Sequence, residues 1–321
     1  MERPGVARLL ALALMAALIA LSGCGDDDDM DADAPSGLPA AGGGGALAYV
    51  LPSFPPTLDP LAARDRAALT VIRQVHEPLV ELLTGPYGQG SPQPGLALSV
   101  TPSRDRSIWT VALRPGVRFQ DGTPFNADAV LANARRWDSD PRGRELLPNL
   151  FAVDAPRPDE VRFLLDQPVP DLARRLSDPR LGIVSPLALE PQSGEGASFR
   201  GESSGSGTGA FEPGPISPGR IELSRYAGWW GTPLGLGPAL DGVAFVLAPG
   251  SGERLRLLAD GSVQIADPLD RAGLLAADAD PLLATVGGPA SGIGLERSVR
   301  GIDSARVVPL LSGVWLTRLV G

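Results

Sequence analysis

Between Trp109 and Ala134 the hydrophobic period changes from two to about 3.6, and this change points to a body that mixes strands with helices. Trp109, Val111 and Leu113 alternate with Thr110, Ala112 and Arg114, the pattern of a half-buried strand. Pro115-Gly116 turns the chain into Val117-Arg118-Phe119, and Asp121-Gly122 turns it again. Ala127, Val130, Leu131 and Ala134 then form an apolar stripe on a helix that Asn126 can N-cap. Upstream, Leu69, Ile72 and Val75 have helical spacing over 63–76, and the helix stops at Glu77-Pro78 because a residue before proline resists helical geometry. Short strands are expected at Val161–Leu165, Ile221–Leu223, Val243–Leu247 and Ser262–Ala266, with a helix at Glu253–Ala259. Residues 193–219 are rich in Gly, Ser and Pro and read as loop.

Composition narrows the chemistry. Hydrophobic residues make up 43% of the 321 and charged residues only 20%, so the chain can bury a core despite its 40 Gly and 33 Pro. Its length allows two domains. A net charge of −9 and a pI near 4.8 leave no broad basic surface, so nucleic acid is not an expected partner. All 28 basic residues are Arg. One Cys excludes an internal disulfide and any multi-Cys metal site, and one His excludes any site needing two. Neither a metal nor a cofactor is expected, and most enzyme classes are disfavoured.

The first residues read as an address. Arg3 and Arg8 precede an apolar stretch from Leu9 to Leu21, too short for a permanent membrane span but suited to a signal-peptide core. Leu21-Ser22-Gly23-Cys24 resembles a bacterial lipobox, which implies removal of residues 1–23 and lipid attachment at Cys24. Residues 24–45 then carry six Asp and end in four Gly, a solvated tether that spans roughly 25 Å as a flexible coil. Asp29, Asp31 and Asp33 have the opening spacing of a calcium loop, but Ala34 and Ala40 stand where that loop needs Gly and Glu.

Several segments in order carry a family resemblance. Leu58-Asp59-Pro60 is followed by Glu77-Pro78-Leu79-Val80 and by Gly95-Leu96-Ala97-Leu98-Ser99. The run from Trp109 to Phe119 comes next, then Asp121-Gly122-Thr123-Pro124-Phe125-Asn126-Ala127. Gly207-Thr208-Gly209-Ala210-Phe211, Arg225-Tyr226-Ala227-Gly228-Trp229-Trp230-Gly231, Leu240-Asp241-Gly242-Val243 and Ala259-Asp260-Gly261-Ser262-Val263 continue the series. Over about residues 47–266 this resembles the family 5 extracellular solute-binding proteins, the dipeptide, oligopeptide and nickel receptors of ABC importers. The pattern departs at Gln120, usually His in the family, and at Ala129, Ala210, Tyr226 and Gln264.

The resemblance implies an α/β, periplasmic-binding-protein-like (type II) first lobe with a mixed sheet and flanking helices. It implies a solute-binding lobe I over 46–266 and a short remnant over 267–321, in which Val307-Val308-Pro309-Leu310 resembles the strand returning to lobe I. Most of the second lobe is then missing. The implied function is a lipid-anchored binding component of an ABC importer in the cell envelope, with a permease partner and a small peptide as solute, and no catalysis. The alternative is a degenerate single-lobe relative that acts as an envelope interaction lipoprotein.

Pro56, Thr57, Leu58 and Asp59, after the first strand, are candidates for a wall of the ligand cleft. Asp59 equally suits a turn residue before Pro60. Trp229-Trp230 offers rings for stacking, or core and turn packing beside glycines. His76 is better placed to end a helix turn than to ligate a metal. Gly201-Glu202-Ser203-Ser204-Gly205 matches a nucleophile elbow, but no strand precedes it and the single His lies upstream. Asp278 and Asp280 read as a solvated helix face.

Overall fold

The computed structural model describes residues 45–83, 90–189, 205–234, 238, 240–267, 269–280, 283–287 and 296–300. The lipobox with Cys24, the acidic tether, Gly201 to Ser204 and Val307 to Leu310 lie outside them. In chain order the first elements are β1 (Ala46–Leu51), α1 (Arg66–Val75), β2 (Val80–Leu83), β3 (Ser91–Pro94), β4 (Ala97–Pro102) and β5 (Ile108–Leu113). Then come α2 (Ala127–Ser139), α3 (Pro141–Leu146), β6 (Leu150–Arg157), β7 (Glu160–Leu165), α4 (Leu172–Arg175) and α5 (Pro186–Leu189). The remainder is β8 (Phe211–Ser217), β9 (Arg220–Arg225), β10 (Gly242–Leu247), α6 (Ser251–Ala259), β11 (Ile265–Ala266), α7 (Arg271–Asp278), β12 (Leu283–Gly287) and β13 (Glu296–Arg300).

β1 organises the larger sheet. It runs parallel to β10 on one side, with Ala46 opposite Gly242 and Leu51 opposite Leu247, and parallel to β11 on the other, with Tyr49 opposite Ile265. Residues 47–51 are all buried, as expected of a strand covered on both faces. Leu47, Tyr49 and Leu51 join Val71 and Val75 of α1 in one apolar cluster, while Ala48 and Val50 join Leu258 of α6 and Ala277 of α7 in another. The period of two thus divides one strand between two cores. Among the described residues this sheet has the order β12-β13-β11-β1-β10-β9-β8, so it continues past Ala266.

The second sheet, β4-β5-β7-β6, is antiparallel. Trp109, Val111 and Leu113 face its core as the alternation requires, and α2 covers them with Val130, Ala134 and Trp137. Asn126 accepts the Ala129 N–H at 3.1 Å and so caps α2 as expected. The first helix starts at Arg66 because Asp65 caps it through the Ala68 N–H; Pro60–Ala62 is a separate 3-10 turn. The Ser262–Ala266 strand shortens to β11.

The loop expected over 193–219 is corrected at its end, where Phe211–Ser217 forms β8. Proline is tolerated there because β8 is at the edge of its sheet, where an absent N–H costs no ladder bond. A bulge between Pro213 and Ile216 also takes Gly214 and Pro215 out of register. Among the described residues no helix is long and apolar enough to cross a membrane.

Candidate functional site

The chain leaves β1 and turns sharply through Pro56–Asp59. The Thr57 hydroxyl accepts the Asp59 N–H at 2.8 Å, and the Asp59 carboxylate accepts the Leu61 N–H at 2.9 Å, starting the 3-10 turn. The same carboxylate pairs with Arg136 of α2. Asp59 is therefore both a turn residue and a tie between β1 and the second core. Pro56 is exposed, Thr57 is half-buried, and Leu58 sits in the apolar cluster under α1.

α1 ends where the sequence places its end. His76 is the C-cap, with its N–H donating to Ile72 O at 2.9 Å, and both His76 and Glu77 are 1% exposed. His76 Nδ1 lies 3.3 Å from Ile183 O, while Nε2 is buried. Burial lowers the imidazole from its ordinary 6.5 to about 4; the Ile183 carbonyl and the Asp59 charge oppose the shift. The imidazole is neutral near pH 7.

The Gly207-Thr208-Gly209 segment is threaded against this helix end. The Gly209 N–H donates to Val75 O at 2.8 Å, and a Cβ at Gly207 or Gly209 would overlap the Val75 or Gln74 carbonyl. Only glycine permits that approach. Gln120 closes the junction from the opposite side. Its Nε2 donates to Phe211 O at 2.8 Å and Gly209 O at 3.1 Å, its Oε1 accepts the Gly207 N–H at 3.0 Å, and its own N–H donates to Gly207 O at 2.9 Å. The Tyr226 hydroxyl adds a bond to Phe119 O at 3.0 Å.

Glu77 lies at the centre of these elements. Trp230 Nε1 donates to both carboxyl oxygens, at 2.9 and 3.1 Å, and Trp229 Nε1 donates to Oε1 at 3.3 Å. Burial drives the carboxyl up from 4.5 to about 8, against the pull of Trp230, Thr208 and Trp229, with the Glu81 charge adding to the rise. Glu77 is thus largely protonated near pH 7. The two indoles are tilted at 47° with centroids 5.2 Å apart. Trp229 is 4% exposed and shares the cluster of Leu58; Trp230 is half-buried and bridges both large cores. Arg114, held by its Nε bond to Gly95 O, stacks 4.1 Å above the Trp230 ring.

Of the sequence candidates, Leu58 and Trp229 thus share one core cluster, while Pro56 is exposed and Thr57 and Trp230 are partly exposed. Sequence reasoning read Glu77 and Gln120 only as markers of a pattern and missed their place at this junction. A charged residue directly before a proline at a helix end was the available signal. A separate groove of about 480 Å³ is lined by Glu145, Asp171, Arg174, Arg175, Asp178 and Arg180, among others, and there Arg175 pairs with Asp171 and Arg180 with Asp178.

A family model described as bacterial extracellular solute-binding proteins, family 5 Middle, matches residues 91–295. The glutathione-binding protein GsiB of Escherichia coli O1:K1 / APEC is 32% identical over 226 residues, 68% of this chain and 42% of that protein. The chain therefore spans less than half the length of the curated relatives it matches. Among solved structures, DppA from Helicobacter pylori in complex with peptide STSA superposes with a TM-score of 0.66 at 20% identity, over 76% of this chain and 50% of that one. NikA from Brucella suis in complex with Fe(III)-EDTA gives 0.66 at 22% identity, over 75% and 48%. These likenesses show the fold.

Proposed function

The chain belongs to the family 5 bacterial extracellular solute-binding proteins, and on that footing we propose that it binds a peptide-like solute for an ABC importer, without catalysis. The reading rests on one observation: the family match runs through the Gly207–Gly209 segment and the Trp pair, and the chain is 32% identical over 226 residues to a relative named for binding glutathione, itself a peptide. The fold shared with a peptide-bound DppA supports the same class. Pro56, Thr57, Asp59 and the partly exposed Trp230 form the candidate wall. Leu58 and Trp229 support it from beneath, and Trp230 offers a flat ring to a peptide backbone or side chain.

Lipid attachment at Cys24 and an envelope location with a permease partner complete the proposal. Replacing Cys24 with Ala should abolish incorporation of labelled fatty acid and release the chain from membranes into the soluble fraction. Retention of label in that variant refutes the anchor.

The solute is tested by thermal unfolding of the chain with reduced glutathione, a mixed di- to pentapeptide pool, or Ni²⁺. A solute that binds only the folded state adds about 2.7 kcal/mol at a hundredfold excess over Kd. An upward shift with glutathione or peptides supports the proposal, and a shift with Ni²⁺ alone redirects it to metal uptake. A cooperative transition that no solute moves favours the envelope interaction protein instead.

A further inference from the structure

We propose that Glu77 acts as a proton-linked latch on Trp230: with its carboxyl protonated the junction is dry and closed, and ionisation opens it at Trp230. The geometry carries the argument. The carboxyl is 1% exposed, and three indole hydrogen bonds hold it. An ionised carboxylate at such a site requires a cation or water, because two indole N–H groups and the Thr208 hydroxyl do not replace its hydration.

The charged groups around it do not supply that compensation. Glu81 of β2 repels a second negative charge, and it already faces Arg73 at 3.7 Å. His76, the chain neighbour, is itself buried and neutral, with Asp59 and Arg136 beside it as an ion pair of opposing influence. Arg114 is the cation that feels Glu77, but its guanidinium is stacked on the Trp230 ring, 4.1 Å from the centroid. For Arg114 or water to reach the carboxylate, an indole has to move. Trp229 is fixed in the core, whereas Trp230 is half-buried, so the opening runs through Trp230. Burial places this event near pH 8, within reach of an extracytoplasmic protein. The inference concerns the folded lobe itself and holds whichever solute, if any, the lobe binds.

The test is tryptophan emission and acrylamide quenching of the full chain from pH about 6 to about 9, below the range where Tyr ionises. The wild type should show a red shift and increased quenching with a midpoint near 8. Trp230→Phe should remove most of the change, and Glu77→Gln, which keeps the shape without the charge, should show none. A transition that persists in Glu77→Gln overturns the proposal, as does a featureless wild-type profile. Infrared spectroscopy of the wild type keeps the proposal falsifiable if Glu77→Gln fails to fold. A protonated-carboxyl band present near neutral pH should disappear through the same midpoint, and its absence near neutral pH overturns the latch.

Discussion

Gly207 and Gly209 show how a local motif becomes a packing requirement. A methyl group at either position meets a backbone carbonyl of α1, which has no rotamer to escape into. Gly207→Ala and Gly209→Ala should each cost about 2–3 kcal/mol or more, read as a lowered urea midpoint with unchanged slope. Gln120→Ala removes three backbone acceptors' donor and leaves the Gly207 N–H unmatched, for a loss of roughly 1–3 kcal/mol. A neutral His at position 120 has a single ring N–H to donate, whereas the Gln120 amide has two to share among these carbonyls. The departure from the family pattern at this residue is therefore filled by a side chain whose amide fits the junction. The sequence named the glycines and Gln120; the carbonyls they meet come from residues 74, 75, 209 and 211, which only folding brings near.

At the scale of elements, caps and periodicity were legible because they are short-range. Asp65 and Asn126 each satisfy an otherwise unpaired N–H in the first turn of α1 and α2. Asp65→Ala and Asn126→Ala should each cost about 1 kcal/mol, and the double variant should lose close to the sum because the two helices are separate. Thermal or urea unfolding of the three variants checks both the size and the additivity. β8 was illegible for the opposite reason. Its Pro213-Gly214-Pro215 carries no strand preference, and only the pairing of Phe211 with Arg225 and Ser217 with Arg220 makes it a strand. β11, with two residues, likewise exists through its neighbours β1 and β13.

For the whole molecule, two adjacent buried groups give stability a characteristic pH profile. The folded chain keeps a proton on Glu77 that the unfolded chain releases above about 4.5, so this contribution is full below 4.5 and is lost as pH rises towards about 8. His76 has the reverse sign: the unfolded chain binds a proton below 6.5 that the folded chain refuses until about 4, so stability is lost as pH falls through that window. Between about 4.5 and 6.5 the two slopes cancel. Between 6.5 and 8 Glu77 acts alone, and stability should fall by about 1.4 kcal/mol per pH unit. Urea midpoints measured across this range test the profile; Glu77→Gln should flatten the alkaline limb, whereas His76→Gln should leave that limb in place.

The sequence alone determined the α/β class, the strand–turn–helix run from Trp109 to Ala134, the helix stop before Pro78 and the family to which the chain belongs. The first three depend on period, capping and steric rules that operate within a few residues, and the family rests on the resemblance of motifs in order along the chain. Tertiary structure decided the sheet order, with β1 between β10 and β11, and the conversion of a Pro-rich segment into an edge strand. It also decided that Glu77 meets Trp229 and Trp230 from more than 150 residues away. Those outcomes depend on burial and on the pairing of distant hydrogen-bonding groups, and neither exists until the chain has closed on itself.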